Sequence, residues 1–575
     1  MNERDSELSR FLAARDQLLS LRTDHPAANA AFAWPRLDRF NWAIDYCDVI
    51  ARDHPAPALH VVEESGTEAK LSYAELSRRS SQVANFLVGR GMRAGDRILL
   101  MLGNEVPLWE TMLAAIKIGA VVIPATTLLS GADLADRIER GKVSWILTNG
   151  SGQARVSGLP AAALAGIGCI LAGDTGRSEG GRPPSGWTDY RESSSSPDVF
   201  VPTDAGAVTA PLLEYFTSGT TSKPKLVRHS RQSYPVGHLS TMYWLGLQPG
   251  DVHWTISSPG WAKHAWSCFF APFNAQACVF IYNYSRFHGP TILEVLNNYG
   301  VKTLCAPPTV WRLLILEDLP RFKTGLRELI SAGEPLNPEV IDQVRKAWRL
   351  TIRDGYGQTE TTAQIGNPPG QTLKPGSRGR PLPGYPIVLL DTDGRPADEG
   401  EICVDLTKRP TPLMDAYADD TDKTAEAMRD GYYHTGDVGS RDAEGYITFV
   451  GRADDVFKAS GYRISPFELE SALIEHPAVA EAAVVPSPDP VRGFVPKAYV
   501  ILAPGHEPKA ATAHAIFTFL RERVSPYKMV RRIEFADLPK TISGKIRRVE
   551  LRSHENGRPA SGPRNAMEFL EESSR

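Results

Sequence analysis

The sequence predicts an α/β protein: a large N-terminal domain of two doubly wound α/β halves with a small β subdomain, followed by a mobile α+β C-terminal lid domain. Three observations predict it. The 575 residues are too many for one core, so at least two domains are expected. From residue 72 to about 353, helical-period segments alternate with short apolar runs, the pattern of parallel strands joined by crossover helices. From about residue 380 the texture changes to short strands and turns such as Asp393-Gly394 and Glu444-Gly445, and a separate α+β unit follows at 455–552.

In chain order, residues 1–66 read as a peripheral extension whose Trp34, Phe40, Trp42 and Tyr46 pack on a larger body. Ser72-x-x-Glu75 is a capping box that opens a helix with Leu76, Val83, Phe86 and Leu87 on its apolar face. A buried strand at 97–102 follows, then a helix near 107–118, a strand at 120–125, a helix near 131–141 and a strand at 145–148. Residues 173–197, with Gly-Gly, Pro-Pro and a serine run, read as a mobile surface loop. Strands are expected again at 252–257, 277–282, 301–306 and 350–353. The last unit should carry a helix at 466–474 and strands at 482–485 and 497–502. The division predicted is 1–453 for the N-terminal domain, 454–552 for the lid and 553–575 for a disordered polar tail.

Composition narrows the function. Lys+Arg number 64 against 67 Asp+Glu, so no global field favours nucleic acid. The six cysteines are scattered with no C-x-x-C pair, which argues against a zinc site or a disulfide frame and suits a reducing cytosol. No apolar run reaches the roughly 18–20 residues of a membrane span. The acidic start MNERDSELSR lacks a signal-peptide core, so a cytoplasmic protein is expected.

The chemistry centres on Tyr215-Phe216-Thr217-Ser218-Gly219-Thr220-Thr221-Ser222-Lys223-Pro224-Lys225. An apolar run ends there in a turn bearing five hydroxyls, one glycine and two lysines, which can wrap a polyphosphate. The P-loop pattern G-x-x-x-x-G-K-[ST] is absent. Four further segments follow: Gly333-Glu334-Pro335; Asp354-Gly355-Tyr356-Gly357-Gln358-Thr359-Glu360; Gly431-Tyr432-Tyr433-His434-Thr435-Gly436-Asp437; and Gly451-Arg452-Ala453-Asp454 leading to Ser460-Gly461-Tyr462-Arg463. The last motif is Pro539-Lys540-Thr541-Ile542-Ser543-Gly544-Lys545. Taken singly each is a common turn or a solvated charge.

Together, in this order, they resemble the adenylate-forming superfamily over roughly residues 65–552. Gly260-Trp261-Ala262-Lys263, Ala306-Pro307-Pro308-Thr309 and Asp489-Pro490-Val491-Arg492-Gly493 are similar to its medium-chain and branched-chain acyl-CoA synthetases. One departure is Ser222, where the family usually has glycine. The resemblance implies an acid–thiol ligase using ATP, Mg²⁺ and coenzyme A. ATP would meet Thr217, Ser218, Gly219, Thr220, Thr221, Ser222, Lys223 and Lys225, with adenine held by Gly333, Glu334, Pro335 and the Asp354–Thr359 segment. Glu360 and Thr217 would hold the metal. Asp437 would accept from the ribose hydroxyls, Arg452 would contact the ribose, and Arg463 would approach phosphate. Asp454 would be the hinge, and Lys545 would bridge substrate carboxylate and α-phosphate during the attack. Coenzyme A would meet Ser460, Gly461 and Tyr462 along its pantetheine arm and Arg492 or Arg521 at its 3′-phosphate.

The acyl pocket is assigned to Trp261, Lys263 and Gly357. Acetate-specific members of the family carry tryptophan at the position of Gly357, so glycine there implies an open floor and an acid of about four to eight carbons. Two alternatives stand beside this reading: loading of a carrier protein or an aromatic acid, and a nucleotide-binding regulator with degenerate chemistry. The expected partners are a small carboxylic acid, ATP and coenzyme A, with no nucleic acid and no membrane span; the chain is expected to be a monomer or a dimer.

Overall fold

The Ser72 capping box forms: the serine hydroxyl accepts from the Glu75 N–H at 3.2 Å, and Glu75 accepts from the Ser72 N–H at 2.8 Å. The helix it opens runs Tyr73–Gly89 and buries Leu76, Val83, Phe86 and Leu87. In this computed structural model residues 3–571 are described, apart from 53, 174–180, 203–205, 218–223, 334–335, 337, 375, 460–461, 542–544 and 559–564.

The chain divides into two compact units. The first comprises Met1–Thr217, Lys225–Pro386 and Asp405–Gly431; the second contains Ile387–Val404 and Tyr432–Arg575. The expected 453/454 boundary therefore lies inside the second unit.

Among the described residues the first unit holds two large sheets. One has the strand order Ala416–Tyr417, Leu226–Ser230, Pro211–Phe216, Val121–Pro124, Arg97–Met101, Trp145–Thr148, Gly168–Leu171 and Trp187–Asp189. The other runs Arg380–Pro381, Thr362–Gly366, Ile352–Gln358, Glu328–Ser331, Thr303–Ala306, Val252–Thr255, Cys278–Asn283, Pro57–Glu63 and Glu68–Ser72. Both are parallel through their centres and antiparallel toward an edge, the two doubly wound halves that the alternation predicts. The cores are continuous apolar layers, such as Leu99, Ile123, Ile146 and Leu134 in one half and Leu304, Leu329, Ile292 and Trp311 in the other.

The second unit contains the short strands Ile387–Leu390, Glu399–Asp405, Tyr432–Arg441 and Ile447–Arg452. It also holds a four-stranded sheet, Val479–Asp489, Gly493–Leu502, Arg532–Phe535 and Glu568–Leu570, whose core includes Leu469 and Leu473 of the helix Pro466–Ile474 and Phe517 of the helix Ala510–Arg521.

Three expectations are corrected. Residues 57–66 are not peripheral: Ala58 to Val62 are five consecutive buried residues, and Pro57–Glu63 pairs in parallel with Cys278–Asn283. A run covered on both faces is an interior strand. Residues 181–197 are not a loop throughout. Trp187–Asp189 adds an edge strand and Tyr190–Ser195 a short 3₁₀ turn whose buried Tyr190 hydroxyl donates to Glu110 at 2.6 Å. Glycine, proline and serine hid two aromatic anchors. The tail is ordered where described: the helix Arg548–Asn556 runs past 552, and Glu568–Leu570 pairs antiparallel with Arg532–Phe535. Buried Lys497 draws it in, sitting 3.4 Å from Glu568, 2.6 Å from Glu534 and 2.7 Å from Glu555.

Candidate active site

The polyphosphate stretch hangs from a closed antiparallel ladder. Pro211–Phe216 and Leu226–Ser230 pair up to Phe216 opposite Leu226, and the Thr217 N–H donates to the Lys225 carbonyl at 2.8 Å. Ser218, Gly219, Thr220, Thr221, Ser222 and Lys223 lie outside the described residues, as do Glu334, Pro335, Ser460 and Gly461 and the side chains of Tyr462 and Arg463.

Asp354 to Glu360 leave the second sheet by the strand Ile352–Gln358 and turn back into Thr362–Gly366. The turn is braced from beneath. A Cβ on Gly355 or Gly366 would stand 2.4 or 2.7 Å from the Trp244 indole, whose N–H donates to the Asp354 carbonyl at 3.2 Å; both glycines are required by that close approach. Burial pushes the Asp354 carboxyl upward against the pull of Arg378, and the Gly355 N–H donates to it at 2.8 Å. This carboxylate is committed to holding the strand end. The Thr359 carbonyl accepts from His229 Nε2 at 2.7 Å, and burial lowers His229 to about 4, so its ring is neutral at pH 7. Gln358 N–H donates to Thr361 Oγ1 at 3.0 Å. Thr362, a β-branched residue, holds φ at +60° while its hydroxyl meets Tyr385 at 2.7 Å. Tyr356 is half-buried beside exposed Gly357.

The open floor inferred at Gly357 is corrected. A Cβ there would meet the Thr362 carbonyl oxygen at 2.0 Å and Ala363 Cα at 3.0 Å. A register shift between Tyr356 and Gly357 turns that bond into the returning strand, so glycine serves close backbone packing rather than pocket volume. Lys263 reaches the Ala332 carbonyl at 3.0 Å, next to Gly333 at φ +109°, and half-buried Trp261 precedes it. Lys263 thereby bears on the start of the Gly333 segment.

Sequence reasoning missed Tyr417. Its hydroxyl donates to Glu360 Oε1 at 3.0 Å and accepts from Lys225 Nζ at 3.1 Å, with that ammonium 4.6 Å from the ring centroid. The structure thus brings Lys225 and Glu360, 135 positions apart in sequence, onto one phenol. The sole hint was a tyrosine in an unpatterned stretch. For a divalent cation the donors are suitable: among the described residues, the second oxygen of Glu360 and the Thr217 hydroxyl have no protein partner, and both are hard oxygen ligands of the kind Mg²⁺ takes along with water and phosphate.

In the second unit, the register places Asp437 directly opposite Arg452, with Arg452 Nε 3.8 Å from Asp437 and 3.3 Å from Asp454. Asp437 is buried, and its N–H donates to the Thr435 hydroxyl at 3.1 Å. Behind it, Glu401 accepts from the Gly436 N–H at 2.9 Å and bonds His434 at 2.8 Å. Cys403 lies 3.6 Å from the same His434 nitrogen. Asp454 also accepts at its carbonyl from Arg552, at 2.7 Å. Lys545 is exposed, on a segment closed by the Thr541 N–H to Lys545 carbonyl bond of 2.8 Å, and its ammonium has no partner among the described residues. Arg492 is exposed at the turn that joins Val479–Asp489 to Gly493–Leu502. Arg521 is instead bonded to Glu571 at 3.2 Å, the local pairing that competes with a phosphate role.

Family models match both parts of the chain: "AMP-binding enzyme" over residues 48–407 and "AMP-binding enzyme C-terminal domain" over 468–545. The chain belongs to the AMP-binding enzyme family. The 4-hydroxybutyrate–CoA ligase 1 of Metallosphaera sedula is 43% identical, covering 93% of this chain and 94% of that protein. The mitochondrial acyl-coenzyme A synthetase ACSM3 of Mus musculus is 38% identical, covering 90% of each. A solved anthranilate CoA ligase, AuaEII, in complex with anthranoyl-AMP, aligns with TM-score 0.80 at 25% identity over 89% of this chain and 97% of its own. This family member is an acid–thiol ligase of the acyl-CoA synthetase type.

Proposed function

We propose that the acid is a small one of about four to eight carbons, activated as its adenylate and passed to coenzyme A. The bridged pair Lys225–Tyr417–Glu360 at the mouth of the polyphosphate stretch is the observation that carries the reading: it sets a cation for phosphate beside a carboxylate for metal. In the first step the acid's carboxylate attacks the α-phosphate, giving acyl-adenylate and pyrophosphate. Lys545 would neutralise charge where the two anions meet. Asp437 and Arg452, opposed in one hairpin, would hold the ribose. Bound Mg²⁺ would supply positive charge to the phosphates, with Glu360 and Thr217 as its protein ligands.

In the second step the coenzyme A thiol attacks the adenylate's acyl carbon and AMP leaves. Lys545 would withdraw by rotation about Asp454, with Arg492 the better placed of the two candidates for the 3′-phosphate. With Gly357 removed as a pocket determinant, chain length rests on the relatives: 4-hydroxybutyrate for one, anthranilate for another. The anthranilate neighbour favours an aromatic acid as second reading. A cytoplasmic setting agrees with six unpaired cysteines. The test is pyrophosphate release across a panel of straight, branched, hydroxylated and aromatic acids, followed by thioester detection with free coenzyme A. Release without thioester would point to a carrier protein; no release with any acid would overturn the reading.

A further inference from the structure

The sequence Met414 to Ala418 makes an unusual set of contacts for so short a segment. The Met414 N–H donates to the Glu360 carbonyl at 2.8 Å, the Asp415 N–H to the Arg228 carbonyl at 2.9 Å, and the Ala418 N–H to the Leu226 carbonyl at 2.7 Å. Ala416 and Tyr417 pair with Arg228 and Val227, on the strand that carries the chain away from the polyphosphate stretch. One segment therefore holds the Glu360 backbone and the exit strand of the phosphate hairpin at once. From it the Tyr417 ring, 3% exposed, carries its hydroxyl to the two charged groups.

We infer that Tyr417 is a positioning residue for the metal–nucleotide complex: its phenol holds the Lys225 ammonium and the Glu360 carboxylate at a fixed separation, close but not paired. The inference rests on the acyl-CoA synthetase reading above. Two opposite charges this near would ordinarily collapse into a direct ion pair, and each would then be partly neutralised before any ligand arrived. Lys225 and Glu360 make no direct ion pair; each spends one hydrogen bond on the same oxygen instead. The ring face gives the ammonium a second attraction that leaves its charge intact. The second Glu360 oxygen stays available to a cation, and the remaining ammonium protons to phosphate. The phenol thus acts as a spacer, and the geometry for binding the metal and the polyphosphate together exists before they bind.

Tyr417→Phe keeps the ring, the strand pairing and the cation–ring contact and removes the spacer oxygen alone. Binding of a non-hydrolysable ATP analogue is measured by calorimetry with and without Mg²⁺, in the wild type, Tyr417→Phe, Glu360→Gln and the double variant. The expected result is a loss of about tenfold or more in affinity with Mg²⁺, and a smaller loss without it, as one hydrogen bond to each of two charged groups disappears. The losses from Tyr417→Phe and Glu360→Gln should be non-additive, since both act through one carboxylate. Unchanged binding in Tyr417→Phe would overturn the inference. So would additive losses, or an equal fall with and without Mg²⁺ accompanied by a lower melting temperature, which mark a packing role. Because the readout is nucleotide binding, it remains decisive even if no acid in the panel releases pyrophosphate, the result that would defeat the functional reading instead.

Discussion

The two units hold their functional residues by opposite means. In the larger, the Asp354–Glu360 turn is fixed mostly by neutral donors and packing: the Trp244 indole against two glycines, a neutral His229 on the Thr359 carbonyl, Tyr385 on Thr362 and Tyr417 on Glu360, with the buried Asp354–Arg378 ion pair the one full charge pair among them. In the smaller, charge does the fixing. Lys497, fully buried, meets three carboxylates; Arg548 bonds Glu470 at 2.5 Å; Arg552 bonds Asp455; Arg531 bonds Glu571. Lys545 itself has none of this support, being exposed and unpaired among the described residues. The difference teaches that the Asp354–Glu360 turn is preset by its neighbours, whereas Lys545, for which the proposed function requires movement, is left without competing partners among the described residues.

The sharpest way to break that contrast is Lys545→Ala. Adenylate formation should fall by about 10²–10³, while thioester formation from preformed acyl-adenylate persists. Equal loss of both half-reactions would make Lys545 a structural member of its unit. Next, Lys497→Met strands Glu534, Glu555 and Glu568 together and should cost about 3–5 kcal/mol. Thermal scans with limited proteolysis should show the smaller unit melting earlier and the larger one unmoved. A single shared shift would show that the units do not hold themselves independently. Asp454→Pro should produce a smaller, selective deficit: proline fixes φ near roughly −65°, so thioester transfer should suffer more than adenylation. Equal retention of both steps would place the swivel elsewhere.

The subtlest test concerns acid. His229 is lowered to about 4 by burial, so its stabilising contribution is complete above pH 6.5 and is lost as pH falls from 6.5 toward 4. Asp415, raised to about 6 by burial, has the opposite sign and gains stability as pH falls below 6. Glu555 keeps a lowered value despite its burial because Lys497, Ser487 and Tyr499 bond it; its contribution persists until pH drops below the ordinary carboxylate range. His229→Gln should therefore flatten the larger unit's loss of stability between pH 6.5 and 4 without altering the smaller unit's. Chemical denaturation at stepped pH would detect it, and an unchanged slope would mean that His229 is protonated in the folded chain.

Much of this was legible in the sequence because it is local. The Ser72 capping box, the apolar strands and the helix at 466–474 are decided within a few residues, and they form where expected. The candidate site residues were chosen from the resemblance, by the order of their motifs along the chain. What escaped depends on distant neighbours. The space beside Gly357 is set by a register shift in a hairpin, and the need for glycine at 355 comes from Trp244, far upstream. Tyr417 sits in a two-residue strand with no period to read. The final strand was masked by a glycine- and proline-bearing stretch before it, while the buried charge that calls it in, Lys497, reads in sequence as a surface residue.

The staple at Met414–Ala418 has a consequence for anyone recombining this chain with a relative. Residues 211–217 with 225–230, residues 352–366 and residues 414–418 are remote in sequence, yet they share one hydrogen-bonded junction. A crossover that takes the phosphate hairpin from one parent and residues 405–431 from another would join strand and phenol that were never fitted together. Those three segments form a single unit of inheritance, and chimeras that respect it should keep nucleotide binding while their acid preference is exchanged.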